Sequence, residues 1–131
     1  MTPELEKQIH EAAPNLYHTE PHPFDKENLS VNQLARISSP VYLGCGDGWY
    51  HILLGLSQAL EELDEDINVV QVKEKFGTLR FYVDGASEIA HELIDQAEEI
   101  SATTCEVCGE PGKLKRRDGW VSVACSKHGG Q

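Results

Sequence analysis

The sequence predicts an α+β fold: two amphipathic helices packed on a short antiparallel β-hairpin, with an N-terminal helical extension and a C-terminal zinc ribbon. Three observations carry this expectation. Residues 49–63 and 88–100 repeat apolar side chains at helical spacing. Residues 67–84, between them, alternate like two strands about a glycine turn. Cys105-Glu-Val-Cys108 is answered by Cys125-Ser-Lys-His128, the ligand spacing of a structural zinc site. The expected regions are therefore 1–40, a helical extension with a Pro-rich loop; 41–104, the α+β body; and 105–131, the ribbon.

At 131 residues, 40% hydrophobic and 25% charged, the chain suits one globular domain with a small appendage. No apolar run approaches the roughly 20 residues of a membrane span. Met-Thr-Pro-Glu-Leu-Glu lacks the basic flank and apolar stretch of a signal peptide. The expected compartment is the cytoplasm, where four cysteines point to metal ligation rather than disulfides.

Charge is uneven. Residues 1–104 hold 6 Lys/Arg against 19 Asp/Glu, a balance of −13, whereas residues 105–131 hold 5 against 3, a balance of +2. The body should repel phosphates, and the tail is the one net-positive segment. An acidic surface also suits a basic protein partner or simple solubility.

Thr2, Pro3 and Glu4 read as a helix start, with Thr2 as the cap and Leu5, Ile9 and Ala12 as a thin apolar stripe that Pro14 ends. Pro14, Pro21 and Pro23 make a loop containing His18 and His22, and the prolines argue against a helical metal pair there. Ser30 is expected to cap a short helix through Val31, Leu34 and Ile37. Val41-Tyr-Leu-Gly-Cys-Gly-Asp-Gly-Trp49 looks like the cofactor loop of a methyltransferase, but too little chain remains for the further βα units such an enzyme needs. The simpler reading is a tight bend in which Asp47 caps the next helix.

That helix presents Trp49, Ile52, Leu53, Leu56, Ala59, Leu60 and Leu63 on one face, and Glu61, Glu62, Asp64, Glu65 and Asp66 crowd its C-terminal end. Alternation puts Val70, Val72, Glu74 and Phe76 on one side of the first strand, with Val69, Gln71, Lys73 and Lys75 on the other. Gly77-Thr78 is the expected turn; Leu79, Phe81 and Val83 then face the core, and Arg80 and Tyr82 face away. Lys73, Lys75, Arg80 and Tyr82 thus form a basic, partly aromatic patch, the candidate surface for a protein partner or anionic ligand. Ser87 caps a last helix whose apolar face is Ile89, Leu93, Ala97 and Ile100, flanked by Ala90 and Ile94, with His91 on the polar side.

In the ribbon, Leu114–Arg117 and Trp120–Ala124 form a hairpin about Asp118-Gly119, the favoured two-residue turn. Cys105, Cys108, Cys125 and His128 close a tetrahedron around Zn²⁺ and leave no open position, so the ion is expected to be structural. A set using Cys45 in place of His128 is the alternative.

Cys45-Gly-Asp-Gly-Trp49, Gln71-Val-Lys-Glu-Lys-Phe-Gly-Thr-Leu-Arg-Phe-Tyr82 and the Cys105-x₂-Cys108 … Gly119-Trp120 … Cys125-x₂-His128 set together resemble a family of small zinc-binding proteins of tailed phages and prophages. The resemblance spans about residues 41–130 and implies a bacterial host cytoplasm. It implies no catalytic residues. The leading expectation is a non-enzymatic, zinc-stabilised protein that binds another protein, including inhibition of a host or defence component. The alternatives are a nucleic-acid-binding ribbon using Lys113, Lys115, Arg116, Arg117 and Lys127 with Trp120 as a stacking platform, and a binder of an anionic small molecule such as a nucleotide signal.

Overall fold

The computed structural model describes residues 1–18 and 41–128, and they adopt an α+β architecture. The helix expected over Ser30–Ile37 and the His22 partner of His18 lie outside the described residues. Helix α1 spans Pro3–Ala12, with Pro3 in its first turn. Strand β1 is Leu43–Gly44, followed by a 3₁₀ turn at Asp47–Trp49 that runs into α2, Tyr50–Glu62. Strands β2, Asn68–Lys75, and β3, Thr78–Asp84, precede α3, Glu88–Ser101. Strands β4, Lys113–Arg117, and β5, Trp120–Ala124, form a separate two-stranded sheet. Among the described residues, no helix is long and apolar enough to cross a membrane.

The expected hairpin is in fact part of a three-stranded sheet, ordered β1-β2-β3. Leu43 pairs with Val72 and Gly44 with Lys73 in parallel, so β1, α2 and β2 form a βαβ unit. Side chains from helices take up part of both sheet edges. On β1, Leu43 N–H donates to Glu6 Oε1 at 3.3 Å, and His10 Nε2 bonds the Val41 carbonyl at 2.8 Å. On β3, Leu79 N–H donates to Ser101 Oγ at 2.9 Å and Phe81 N–H to Glu98 Oε2 at 2.8 Å. The edge amides of Leu43, Leu79 and Phe81, which could otherwise pair with a foreign strand, are thereby occupied.

One core joins the helices and this sheet: Ile9, Ala13, Leu16 and Tyr17; Leu43; Trp49, Leu53, Leu56 and Leu60; Val69, Val72, Leu79 and Phe81; Ala90, Ile94 and Ala97. The N-terminal segment is therefore part of the body's core. Tyr17 and Ser57 satisfy each other there, with a hydroxyl–hydroxyl distance of 2.6 Å. Glu61, one of the acids at the end of α2, accepts the Asn15 and Leu16 N–H groups at 3.2 and 3.0 Å.

Several expectations are corrected. Val70 and Phe76, expected on the buried side, are 54% and 69% exposed, while Val69 is buried. A bulge between Val69 and Gln71 inserts Val70 as an extra residue, so Val69 and Val72 both face inward. The turn is Phe76-Gly77 rather than Gly77-Thr78: both have positive φ, 53° and 87°, and Lys75 pairs directly with Thr78. On α3 the buried face is Ala90, Ile94, Ala97 and Ser101, whereas Ile89 and Ile100 are exposed. The helix is rotated so that Ser101 can serve the β3 edge. Thr2 and Asp47 cap nothing with their side chains; instead Thr2 N–H donates to Asp47 Oδ1 at 2.7 Å, linking α1 to the glycine loop. Ser87 does cap α3, its Oγ accepting the Ala90 N–H at 3.2 Å.

Candidate metal centre

The Cys105–Cys108 turn is closed by Gly109, whose N–H donates to the Cys105 carbonyl at 2.9 Å and whose φ of +83° suits a residue without Cβ. Cys105 N–H donates to the Glu110 carbonyl at 2.7 Å, and Glu106 N–H reaches across to the Val123 carbonyl at 3.0 Å. The first knuckle is thereby fastened to β5, which leads directly into Cys125. There the second knuckle turns, with His128 N–H on the Cys125 carbonyl at 3.2 Å. Asp118-Gly119 forms the hairpin turn with φ of 50° and 85°, as expected.

These elements bring Cys105, Cys108, Cys125 and His128 together, with ligand atoms all within 4.8 Å of one another. Cys108 Sγ is 3.7 Å from Cys125 Sγ, and His128 Nδ1 is 3.2 Å from Cys125 Sγ and 3.8 Å from Cys105 Sγ. A tetrahedral ion with bonds of about 2.3 Å to sulfur and about 2.05 Å to nitrogen needs edges of about 3.8 Å and about 3.6 Å respectively. The donor set fits a four-coordinate metal ion. Cys45 lies in the main core instead, so it is not a fourth ligand.

Local amides bias the sulfurs. Burial raises the Cys105 thiol, but N–H groups of Cys108, Cys125 and Val107 outweigh it and bring it down to about 6. Cys125 is lowered against its desolvation by the Lys127 N–H and by His128. Cys108 receives the Glu110 N–H, yet desolvation and the neighbouring sulfurs leave it raised. His128 is raised by Cys125 and Cys105. Two sulfurs are thus tilted toward thiolate, the form that ligates metal.

The knuckle sits on the glycine loop. Gly48 N–H donates to the Glu106 carbonyl and Gly46 N–H to Glu106 Oε2, both at 2.8 Å, and the buried Trp49 donates Nε1–H to the Thr104 carbonyl at 2.9 Å. A Cβ on Gly48 would stand 2.1 Å from the Cys105 carbonyl oxygen, and one on Gly46 would stand 2.4 Å from that of Glu106. Gly46 and Gly48 are therefore the seat of the metal knuckle, a role their sequence pattern alone does not disclose. The C-terminal hairpin is seated a second time at Gly77, where a Cβ would meet Leu114 Cδ1 at 2.5 Å and Val121 Cγ1 at 3.2 Å.

The second candidate site is the sheet face away from the core. Lys73 pairs with Arg80, Gln71 with Tyr82 and Lys75 with Thr78, so Lys73, Lys75, Arg80 and Tyr82 share that face. Lys73 Nζ lies 5.9 Å from the Tyr82 ring centre. Arg80 is half-buried, and its Nε has no hydrogen-bond partner among the described residues. Tyr42, absent from the sequence-based site, belongs here too: it is 69% exposed, and its ring lies 3.5 Å from where a Cβ of Gly44, the partner of Lys73, would stand. Its position just before an inward Leu43 was the available signal.

On the C-terminal hairpin, Leu114 pairs with Val123 and Arg116 with Val121 on the face toward Gly77; Lys115 pairs with Ser122 and Arg117 with Trp120 on the other. Lys113, Lys115, Arg117 and a 79% exposed Trp120 therefore share one face, and Arg116 does not join them. Lys127 is exposed in the second knuckle. Among the described residues, the one ion pair is Lys7–Glu11 at 3.8 Å. Every other described Lys or Arg lies in β2, β3, the C-terminal hairpin or the second knuckle, without a carboxylate partner among the described residues.

Comparison with known proteins returns no match among family models, curated proteins or solved structures.

Proposed function

We propose that this is a non-enzymatic binding protein whose Cys₃His centre holds a structural zinc ion and whose working surface is its cationic side, which takes nucleic acid. One observation carries the reading: charge is segregated. Acids dominate α2 and α3, whereas, among the described residues, the Lys and Arg without a carboxylate partner lie on the sheet, the C-terminal hairpin and the second knuckle, which also carry exposed Tyr42, Tyr82 and Trp120. Aromatic rings interleaved with unpaired cations suit bases and phosphates together. Zinc is favoured by three thiolates and one imidazole at tetrahedral spacing. With all four positions filled by protein, the ion organises the hairpin and activates no water.

Fluorescence anisotropy with labelled DNA and RNA at about 50 mM salt tests the reading. Binding that weakens steeply as salt rises is expected; no binding to either at that salt overturns it. A second reading keeps the same face for an acidic segment of a protein partner, including a host or defence component. The net charge of −11 opposes any anionic partner, but a short acidic segment confined to the cationic face less than a long polyanion. The resemblance to phage proteins would place either activity in a bacterial cytoplasm. Capture of a protein at one-to-one stoichiometry that Lys73→Glu abolishes would favour it. A nucleotide signal would instead appear as a thermal shift with mononucleotides.

A further inference from the structure

The sulfurs of the metal cluster differ in access. Cys105 and Cys125 are 0% and 8% accessible, whereas Cys108 stands exposed on the first knuckle. Cys108 also has a sulfur in contact across the cluster: its Sγ lies 3.7 Å from the Sγ of Cys125 in the second knuckle. Closing that pair to a disulfide bond length of about 2.05 Å takes a shift of about 1.6 Å. Cys105 is less free to join in, because its N–H is held by the Glu110 carbonyl and its own carbonyl by the Gly109 N–H. The fourth cysteine, Cys45, is buried in the main core and stands apart from the cluster.

The cluster also fastens the C-terminal hairpin to the body. Cys105, Ala124 and Cys125 make a core too small and too separate to hold the hairpin without a bound ion. Through that core the knuckle stays on Gly46 and Gly48, and the hairpin stays on Gly77 by way of Leu114 and Val121. Resting on the zinc reading, we infer that the centre is a redox-sensitive clasp: a peroxide joins Cys108 to Cys125, the ion is released, and the C-terminal hairpin comes off its two seats. Ligation holds the Cys108 sulfur as a thiolate. That thiolate attacks one oxygen of hydrogen peroxide; the O–O bond breaks, hydroxide leaves, and the sulfur becomes a sulfenic acid. The Cys125 thiolate then attacks this sulfur, the S–S bond forms, and the S–O bond breaks to release a second hydroxide. The two sulfurs give up two electrons, and the peroxide takes up both. Cys105 and His128 remain as ligands, half of the set that a structural site needs.

The test exposes full-length, zinc-loaded protein to hydrogen peroxide. Released zinc is followed with a chromogenic chelator, the bonded cysteines by peptide mapping, and the hairpin by amide exchange. Loss of the bound zinc should accompany a Cys108–Cys125 disulfide, faster exchange at Gly46, Gly48 and throughout β4 and β5, and full reversal by a thiol reductant with added zinc. Cys45→Ala should respond as the wild type does. Cys108→His, which keeps four N/S donors but removes the attacking thiol, should retain its zinc through the same treatment. Should that variant not load, the wild-type peptide map alone decides. A disulfide between Cys105 and Cys108, release only through irreversible sulfinic acid, or a hairpin still protected after oxidation would overturn the clasp while the zinc site stands. Zinc lost from Cys108→His as fast as from wild type would do the same. If the reduced protein takes up no zinc at all, the zinc reading fails and the clasp with it.

Discussion

Replacing Gly48 with alanine would place a methyl carbon 2.1 Å from the Cys105 carbonyl oxygen and 2.6 Å from both the carbonyl carbon and oxygen of Glu106. All three are backbone atoms of the metal knuckle, so no flexible side-chain end can swing aside. Relief requires lifting the knuckle off its seat, with loss or lengthening of the 2.8 Å bond from Gly48 N–H to the Glu106 carbonyl. Overpacking of this kind costs about 1–3 kcal/mol, and the hydrogen bond adds about 1 kcal/mol. Gly48→Ala should therefore destabilise the protein by about 2–4 kcal/mol in urea unfolding. If about 2 kcal/mol of that falls on the knuckle, metal affinity measured by chelator competition drops about 30-fold. Gly55→Ala is the internal control. Nothing lies within 4 Å of a Cβ there, and the position is inside α2. Helix propensity predicts a gain of about 0.5–1 kcal/mol and unchanged metal affinity. A Gly48→Ala protein within about 0.5 kcal/mol of wild type, or with wild-type metal affinity, would refute the seat.

Ser101→Ala should cost about 1–3 kcal/mol by orphaning the buried Leu79 N–H, whereas Thr103→Ala, which loses only an exposed 3.2 Å bond to the Ile100 carbonyl, should stay within about 0.5 kcal/mol; denaturant midpoints distinguish them. Burial pushes the Cys45 thiol from 9.0 up to about 12. Its neutral form is the one the fold favours, so its contribution is complete below the unfolded pKa of 9.0 and is lost as pH rises from there toward about 12. Cys45→Ala should flatten the fall in stability above pH 9.0, which thermal melts across that range would show. Chelating the metal should remove amide-exchange protection from β4, β5 and the two knuckles, because Cys105, Ala124 and Cys125 form a small core separate from the main one. Helical circular dichroism should largely persist; its complete loss would show instead that the centre governs the whole fold.

The Cys₃His cluster was legible because its information is local: two Cys/His pairs, a glycine in the first knuckle and an Asp-Gly turn each act over a few residues. The sheet patch was legible for a related reason. Strand alternation fixes Lys73, Lys75, Arg80 and Tyr82 on one face even when the turn is misplaced by one residue, as it was at Phe76-Gly77. What escaped depends on distant partners. A two-residue β1 gains its identity only from its parallel neighbour Val72. Hydrophobicity alone places Ile100 inside and Ser101 outside; the order reverses because the Ser101 hydroxyl satisfies a β3 edge amide. Gly46 and Gly48 suggested a bend, but the reason for their missing side chains is a knuckle that follows much later in the chain. The bulge at Val70 likewise has no mark in a run of valines, all equally suited to either face.

The central claim, that the cationic side holds nucleic acid, is tested most directly by titrating a single-stranded oligonucleotide into ¹⁵N-labelled, zinc-loaded protein and following amide shifts. The predicted result is a saturable set of changes at Lys73, Lys75, Arg80, Tyr82, Lys115 and the Trp120 indole, with the acidic faces of α2 and α3 unmoved. Changes confined to those helices, or no changes at all, would contradict the account.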